Sequence, residues 1–197
     1  VFLDITEYIS FEDELIKEKQ RFKYFIDVTN LGTWEWVLES GEVVFNERWA
    51  NIIGYTLEEI SPVSIKTWEQ FTHPDDLKES SALIEKHLRG ESDFYEFECR
   101  MKHKNGEWVW VSDRGKISAR DAEGKPLVIS GTHQDITDRK VQTEKLNKFA
   151  DNMEWMNWEL QTEIQKRTEA EKKLRLSERK FNRLFQSNPA LMALNDI

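Results

Sequence analysis

The chain has 197 residues, 39% hydrophobic and 12% aromatic, with a mean hydropathy of -0.69, which is material for one ordinary core and an extended part but not for two large domains. Residues 138–180 carry 11 Lys/Arg against 9 Asp/Glu, so the formal charge of -9 resides in the rest of the chain, and that acidic body excludes nucleic acid as a partner. The single cysteine, Cys99, excludes an internal disulfide and suits a reducing, cytoplasmic setting, and the lack of an apolar run of about 18 residues leaves this segment without membrane contact.

From Ser10 to Thr29 the apolar residues Phe11, Leu15, Phe22, Phe25 and Ile26 recur at helical spacing, with Glu and Lys on the other face, and predict an amphipathic helix. Trp34, Trp36 and Leu38 then share one face of a strand, Ser40-Gly41 turns the chain, and Glu42 to Phe45 returns as a second strand. Asn46 caps a short helix that stops at Gly54, and two more helical pieces are expected at Leu57–Ile60 and Ile65–Phe71. In His73-Pro74-Asp75-Asp76 the proline fits the first helical position and the aspartates favour the positive helix start, predicting a helix to about Leu88. Three strands close the set. Tyr95, Phe97, Cys99 and Met101 alternate with Glu96, Glu98 and Arg100; Asn105-Gly106 makes a hairpin turn into Trp108–Ala119; and Pro126–Thr137 follows the turn at Asp121–Gly124. The order predicts an α+β fold, a five-stranded antiparallel sheet with helices on one side.

No glycine or proline occurs in the 57 residues between Gly131 and Pro189, so a long helix is expected there. Its seam runs Leu146, Phe149, Met153, Met156 and Leu160, weakens near Glu163–Arg167, and recovers at Ala170, Leu174 and Phe181. About 45 helical residues would span roughly 68 Å. Such a stripe predicts a parallel homodimeric coiled coil, and Trp155 and Trp158 fall off the seam. The two ends of the chain also resemble each other. Asp4-Ile5-Thr6-Glu7 returns as Asp135-Ile136-Thr137-Asp138 at an offset of 131, and Arg21-Phe22-Lys23-Tyr24-Phe25-Ile26 as Lys180-Phe181-Asn182-Arg183-Leu184-Phe185 at 159. The offsets differ by 28 residues, or four heptads, which returns a seam to the same face.

The segments Gly32-Thr33-Trp34-Glu35-Trp36, Phe45-Asn46-Glu47-Arg48-Trp49, Ile53-Gly54-Tyr55, His73-Pro74-Asp75-Asp76, Arg100–Trp110, Arg114-Gly115 and Gly131–Thr137 resemble the PAS domain with a PAC-type second half. The resemblance covers about residues 20–140. It implies a PAS fold from a multi-PAS signal-transduction protein, a sensor histidine kinase or a diguanylate cyclase of two-component or cyclic-dinucleotide signalling. It also implies a division into residues 1–9 as the tail of a preceding module, 10–30 as a flanking helix, 31–138 as the PAS/PAC domain, 139–187 as a coiled-coil signalling helix and 188–197 as the start of a following module. On this reading Val1–Thr6 is a last strand and Ala190–Ile197 a first one.

The implied cavity gives a candidate ligand pocket of Trp34, Trp36, Phe45, Tyr55, Phe97, Cys99 and Trp110. Cys99 stands where the family commonly has an aromatic residue, leaving space either for a ligand or for neighbouring tryptophans. For haem, His87 is the one candidate axial residue, and a helix-end histidine is its commoner role; flavin photochemistry would need a cysteine on the middle helices, where Cys99 is not. Neither cofactor is expected, nor a metal: His73, Asp75 and Asp76 read as a helix start and His133 as strand surface. The candidate signal relay is Arg114, Asp135, Ile136 and Thr137, in which Asp135 caps the outgoing helix and pairs with Arg114. Residues 138–197 hold no histidine to accept phosphate and the glycines stand singly, so this chain is expected to be a sensor and dimerisation module rather than an enzyme. A ligand-free structural spacer is the alternative.

Overall fold

The computed structural model of the chain describes residues 5–186. Helix α1 covers Ile5–Thr29, ahead of the predicted start at Ser10. The strand expected over Val1–Thr6 therefore does not extend to Ile5 and Thr6, and Val1–Asp4 lie outside the described residues. A lone strand has no ladder to join, whereas a helix satisfies its own backbone. Asn30, at φ 55, follows α1 and takes the left-handed conformation that asparagine tolerates.

Strands β1 (Gly32–Val37) and β2 (Val43–Phe45) form the first hairpin, and β3 (Tyr95–Lys102), β4 (Trp108–Arg120) and β5 (Pro126–Asp135) the other three strands. The sheet order is β2-β1-β5-β4-β3, with every neighbouring pair antiparallel. Between β2 and β3 come helices α2 (Glu47–Ile52), α3 (Leu57–Ile60), α4 (Ile65–Phe71) and α5 (Pro74–Leu88).

Local chemistry explains the boundaries. Asn46 Oδ1 accepts from the amides of Trp49 and Thr33, both at 2.9 Å, and its Nδ2 donates to Leu31 O at 3.1 Å. One side chain thus caps α2 and ties it to the start of β1. Thr56 and Glu59 form a reciprocal capping box on α3, and Pro74 opens α5 with His73 Nδ1 accepting from the Asp75 amide. The inner face of the sheet and the short helices enclose a core of Val43, Phe45, Trp49, Ile53, Cys99 and Val111, among others.

Asp76 does more than favour a helix start. Its carboxylate takes the Arg100 backbone amide at 2.7 Å, Nε at 3.0 Å and Nη2 at 2.6 Å, which ties α5 to β3. The Arg100 guanidinium hydrogen bonds hold the Asp76 carboxyl below its ordinary value.

Helix α6 runs from Thr137 to Gln186. The chain divides into two units, one ending at Val141 and the other beginning at Gln142. Along the second, Leu146, Phe149, Met153, Met156, Leu160 and Leu174 are all exposed, as are Trp155 and Trp158. Ion pairs Glu144–Lys148 and Glu163–Arg167 follow the helical repeat. Ala190–Ile197, expected as a strand, lie outside the described residues. No helix among the described residues is long and apolar enough to cross a membrane.

Candidate sensory core and its junction with the helix

The strand period decides which side chains face inward. On β4, Val111, Asp113 and Gly115 are buried while Trp108 and Arg114 are exposed; on β5, Ile129 and His133 are buried. Asp113 and His133 are register partners on adjacent strands. His133 Nε2 lies 3.2 Å from Asp113 Oδ1, and the same oxygen accepts the Trp34 indole N–H at 2.9 Å. His133 is 2% exposed and Asp113 3%, which corrects the expectation of a surface histidine. Its neighbours are aromatic: Trp49 stacks on Phe45 with centroids 3.8 Å apart, and on His133 at 5.6 Å.

Tyr95 completes this layer. Its hydroxyl shares a 2.8 Å hydrogen bond with Ser80 of α5, and burial, reinforced by the nearby Asp113, pushes its pKa far up. The Cys99 thiol is likewise pushed up by burial and then by Asp113, so it is held as a neutral, inert group.

A cavity of about 30 Å³ lies among these residues, lined by Trp34, Trp36, Phe45, Trp49, Trp68 and Asp113, among others. Of the candidate pocket, Trp34, Trp36 and Phe45 line it; the other four do not. Tyr55 packs against Phe71 at 5.2 Å, Cys99 is sealed in the core, and Phe97 and Trp110 border a groove that also includes Glu98 and Arg139. Trp110 is misplaced in the expectation because Trp108-Val109-Trp110-Val111 is apolar on both parities. Inward Val111 and Asp113 turn Trp110 to the opposite face, where Arg100 and Lys140 lie 5.6 and 4.6 Å from its ring centroid. The residues of this layer that the candidate pocket leaves out are Asp113, Tyr95, Trp49 and Trp68; Tyr95 stands on the inward parity of β3, and Asp113 carries a signal of its own, a carboxylate at an inward strand position.

His87 is buried, with Nδ1 2.9 Å from Ser92 O and Nε2 accepting from the Ile117 amide at 3.2 Å. Both ring nitrogens have protein partners, which fixes the proton on Nδ1 and ties α5 to β4. That replaces the expected contact with the last helix carbonyls. Among the described residues no group of three His, Cys, Asp or Glu side chains is placed to hold a metal ion.

At the end of β5 the chain enters α6 through a dense set of contacts. Asp135 Oδ1 accepts from the Thr137 amide at 2.9 Å. Ile136 is buried and its amide donates to Trp110 O at 2.9 Å, while Thr137 Oγ1 accepts from the Trp110 amide at 3.0 Å. Arg114 does not pair with Asp135. It faces Glu96 across the β3–β4 ladder, Nε to Oε1 2.7 Å, because Arg114 is in register with Glu96 and Thr132. The ionic tie between sheet and helix is instead Glu98, whose Oε1 takes Arg139 Nη2 at 2.6 Å and whose Oε2 takes Lys140 Nζ at 2.5 Å. Lys140, then Arg139, hold the Glu98 carboxyl below its ordinary value.

Comparison with known proteins places this arrangement. Residues 42–133 match the family model of the PAS fold. The chain is similar to a blue-light-activated histidine kinase of Brucella ovis, 25% identical over 190 residues, covering 92% of this chain and 37% of that protein. It is also similar to a probable diguanylate cyclase of Escherichia coli (strain K12), 31% identical over 103 residues, covering 52% of this chain and 9% of that protein. It thus spans well under half the length of either relative. Among solved structures, a sensory box histidine kinase/response regulator from Burkholderia thailandensis E264 superposes with a TM-score of 0.59 at 25% identity, covering 68% of this chain and 97% of that one. Sheet order, matched family model and solved neighbour agree: the chain has the PAS fold, with residues 42–133 matching the family model.

Proposed function

We propose that this chain is a sensory and dimerisation module of a signal-transduction protein, a sensor histidine kinase, with a diguanylate cyclase as the alternative parent. It relays the state of the PAS core through α6 to an output domain outside this chain. The carrying observation is the Glu98 clasp. One carboxylate on β3 holds two consecutive cations in the first turn of α6, so a change in the tilt of β3 acts on the helix base. Ile136, buried between sheet and helix start, and Asp135 with Thr137 complete the relay. Arg114, on the neighbouring strand, acts on it only through Glu96.

Dimerisation is supported by exposed apolar stripes. Leu146, Phe149 and Met153 on α6, and Phe11, Phe22 and Phe25 on α1, are exposed, and a helix covers such a stripe by pairing. The tandem arrangement, with residues 1–9 and 188–197 belonging to neighbouring modules, is part of this reading. The chain's relatives in kinase and cyclase proteins support an output domain of either kind.

A second reading, a ligand-free spacer, is favoured by the small cavity and the sealed Cys99. The two separate in the parent protein. Glu98→Gln removes the charge but not the fold; the relay reading expects altered output in the unstimulated state, and the spacer reading expects output equal to wild type.

A further inference from the structure

His73 joins the start of α5 to β3 through contacts that require an unprotonated Nδ1. That nitrogen accepts from the Asp75 amide at 3.2 Å and lies 3.3 Å from Arg100 Nη2. A backbone amide and a guanidinium only donate, so Nδ1 carries no proton while both contacts hold, and the ring proton is on Nε2. The residue is also fixed at its backbone: its amide donates to Arg100 O at 2.9 Å, and its carbonyl accepts from the Leu77 amide at 3.0 Å. Cap, guanidinium contact and strand contact therefore meet in one side chain and one peptide unit.

A proton on Nδ1 removes the acceptor from the α5 cap and sets a cation against the Arg100 guanidinium. The charges around the ring decide where that proton is held. On α5, the Asp75 carboxylate stands 3.8 Å from Nδ1 and 3.9 Å from Lys78 Nζ; its side chain is 74% exposed and free to turn to the ring. Asp76 is already engaged by the Arg100 amide, Nε and Nη2. On β3, Arg100 is the cation in contact with the ring, and Lys102 Nζ lies 4.7 Å from the Trp108 ring centroid, the same indole that His73 faces at 4.9 Å. The His73 side chain is 22% exposed, so solvent protons reach it. Two arrangements compete for one nitrogen: unprotonated, it accepts from the Asp75 amide and Arg100; protonated, it donates to the Asp75 carboxylate.

We propose that His73 is a proton-operated switch between α5 and β3: uptake of a proton at Nδ1 exchanges the helix cap and the Arg100 contact for an ion pair with the Asp75 carboxylate, and loosens the start of α5 from the strand. The switch stands on this geometry alone. That it reaches α6 through Glu98, on the same strand as Arg100, rests on the relay reading.

The test is an NMR titration of the whole ¹⁵N-labelled chain from about pH 8 to about pH 5. Long-range correlations to the ring nitrogens should show His73 Nδ1 without a proton at the alkaline end, and the Asp75 and Arg100 amide signals should shift with the same midpoint as the ring. His73→Asn, which keeps a capping side chain but takes up no proton, should abolish both shifts over that interval. A proton on Nδ1 at the alkaline end would overturn the proposal, as would a His73 ring that does not titrate or one that titrates while the two amides stay fixed. Shifts of the two amides that persist in His73→Asn would overturn it too. The relay is read separately in the same spectra: co-titrating Asp75 and Arg100 with unmoved Ile136 and Thr137 amides would uphold the switch and contradict the relay.

Discussion

Asp113 and His133 sit directly opposite each other on β4 and β5, with Nε2 3.2 Å from Oδ1, and both are almost wholly buried. Trp34 donates to the same carboxylate oxygen, so one acidic side chain serves two strands and a third. Asp113→Ala strands the Trp34 N–H and the His133 ring in an apolar layer. It should destabilise the domain by about 2–5 kcal/mol, measured by urea unfolding; a loss under about 0.5 kcal/mol would mean that the three groups find other partners.

Trp34 also explains a pair of glycines. Gly115 and Gly131 are register partners, and a Cβ on Gly131 would come within 2.4 Å of both Trp34 Cζ2 and the Arg114 carbonyl oxygen, while one on Gly115 would lie 2.6 Å from Trp34 Cη2. The indole covers the backbone of two strands at a distance no side chain allows. Gly131→Ala should therefore cost about 1–3 kcal/mol and more than Gly115→Ala, whose nearest contacts are side-chain atoms with no backbone carbonyl among them. Equal stabilities of the two variants would contradict this packing.

The Asp76–Arg100 bridge gives a pH signature. Arg100 hydrogen bonds lower the Asp76 pKa from its ordinary 3.8 in the folded state, so the contribution is present above the unfolded value and is lost as pH falls through the folded one. Urea midpoints of wild type and Asp76→Asn should differ at pH 7 and converge as the pH drops below about 3.8. A difference that persists undiminished at pH 2 would show that the side chain acts by shape alone.

Where a strand has one apolar parity, the sequence was sufficient. Tyr95, Phe97, Cys99 and Met101 and the Asn105-Gly106 turn located β3 and its hairpin, and Asn46 and Pro74 located two helix starts, because capping and turn chemistry are local. Trp110 lies on the face opposite to the expected pocket, since both parities around it are apolar and the pattern does not choose between them. A histidine on a strand suggests surface because polar residues are mostly exposed; the burial of His133 depends on Asp113, a partner on another strand. The Glu98 clasp is legible only in three dimensions, and the Arg114–Asp135 pairing failed on register, which places Thr132, not Asp135, opposite Arg114.

The coiled-coil reading has a direct solution test. Leu146→Glu with Met153→Glu places like charges in the seam and should convert a dimer into a monomer in sedimentation equilibrium, with helicity near α6 reduced. A wild-type chain that sediments as a monomer at high concentration would contradict dimerisation through α6.

The most direct test of the relay is the distance between two copies of a spin label at Asp151 on α6, measured by pulsed dipolar spectroscopy in wild type and in Glu98→Gln. The account predicts a single short intermolecular distance in wild type and a shifted or broadened distribution once the clasp on Arg139 and Lys140 is gone. Identical distributions in the two proteins would contradict it.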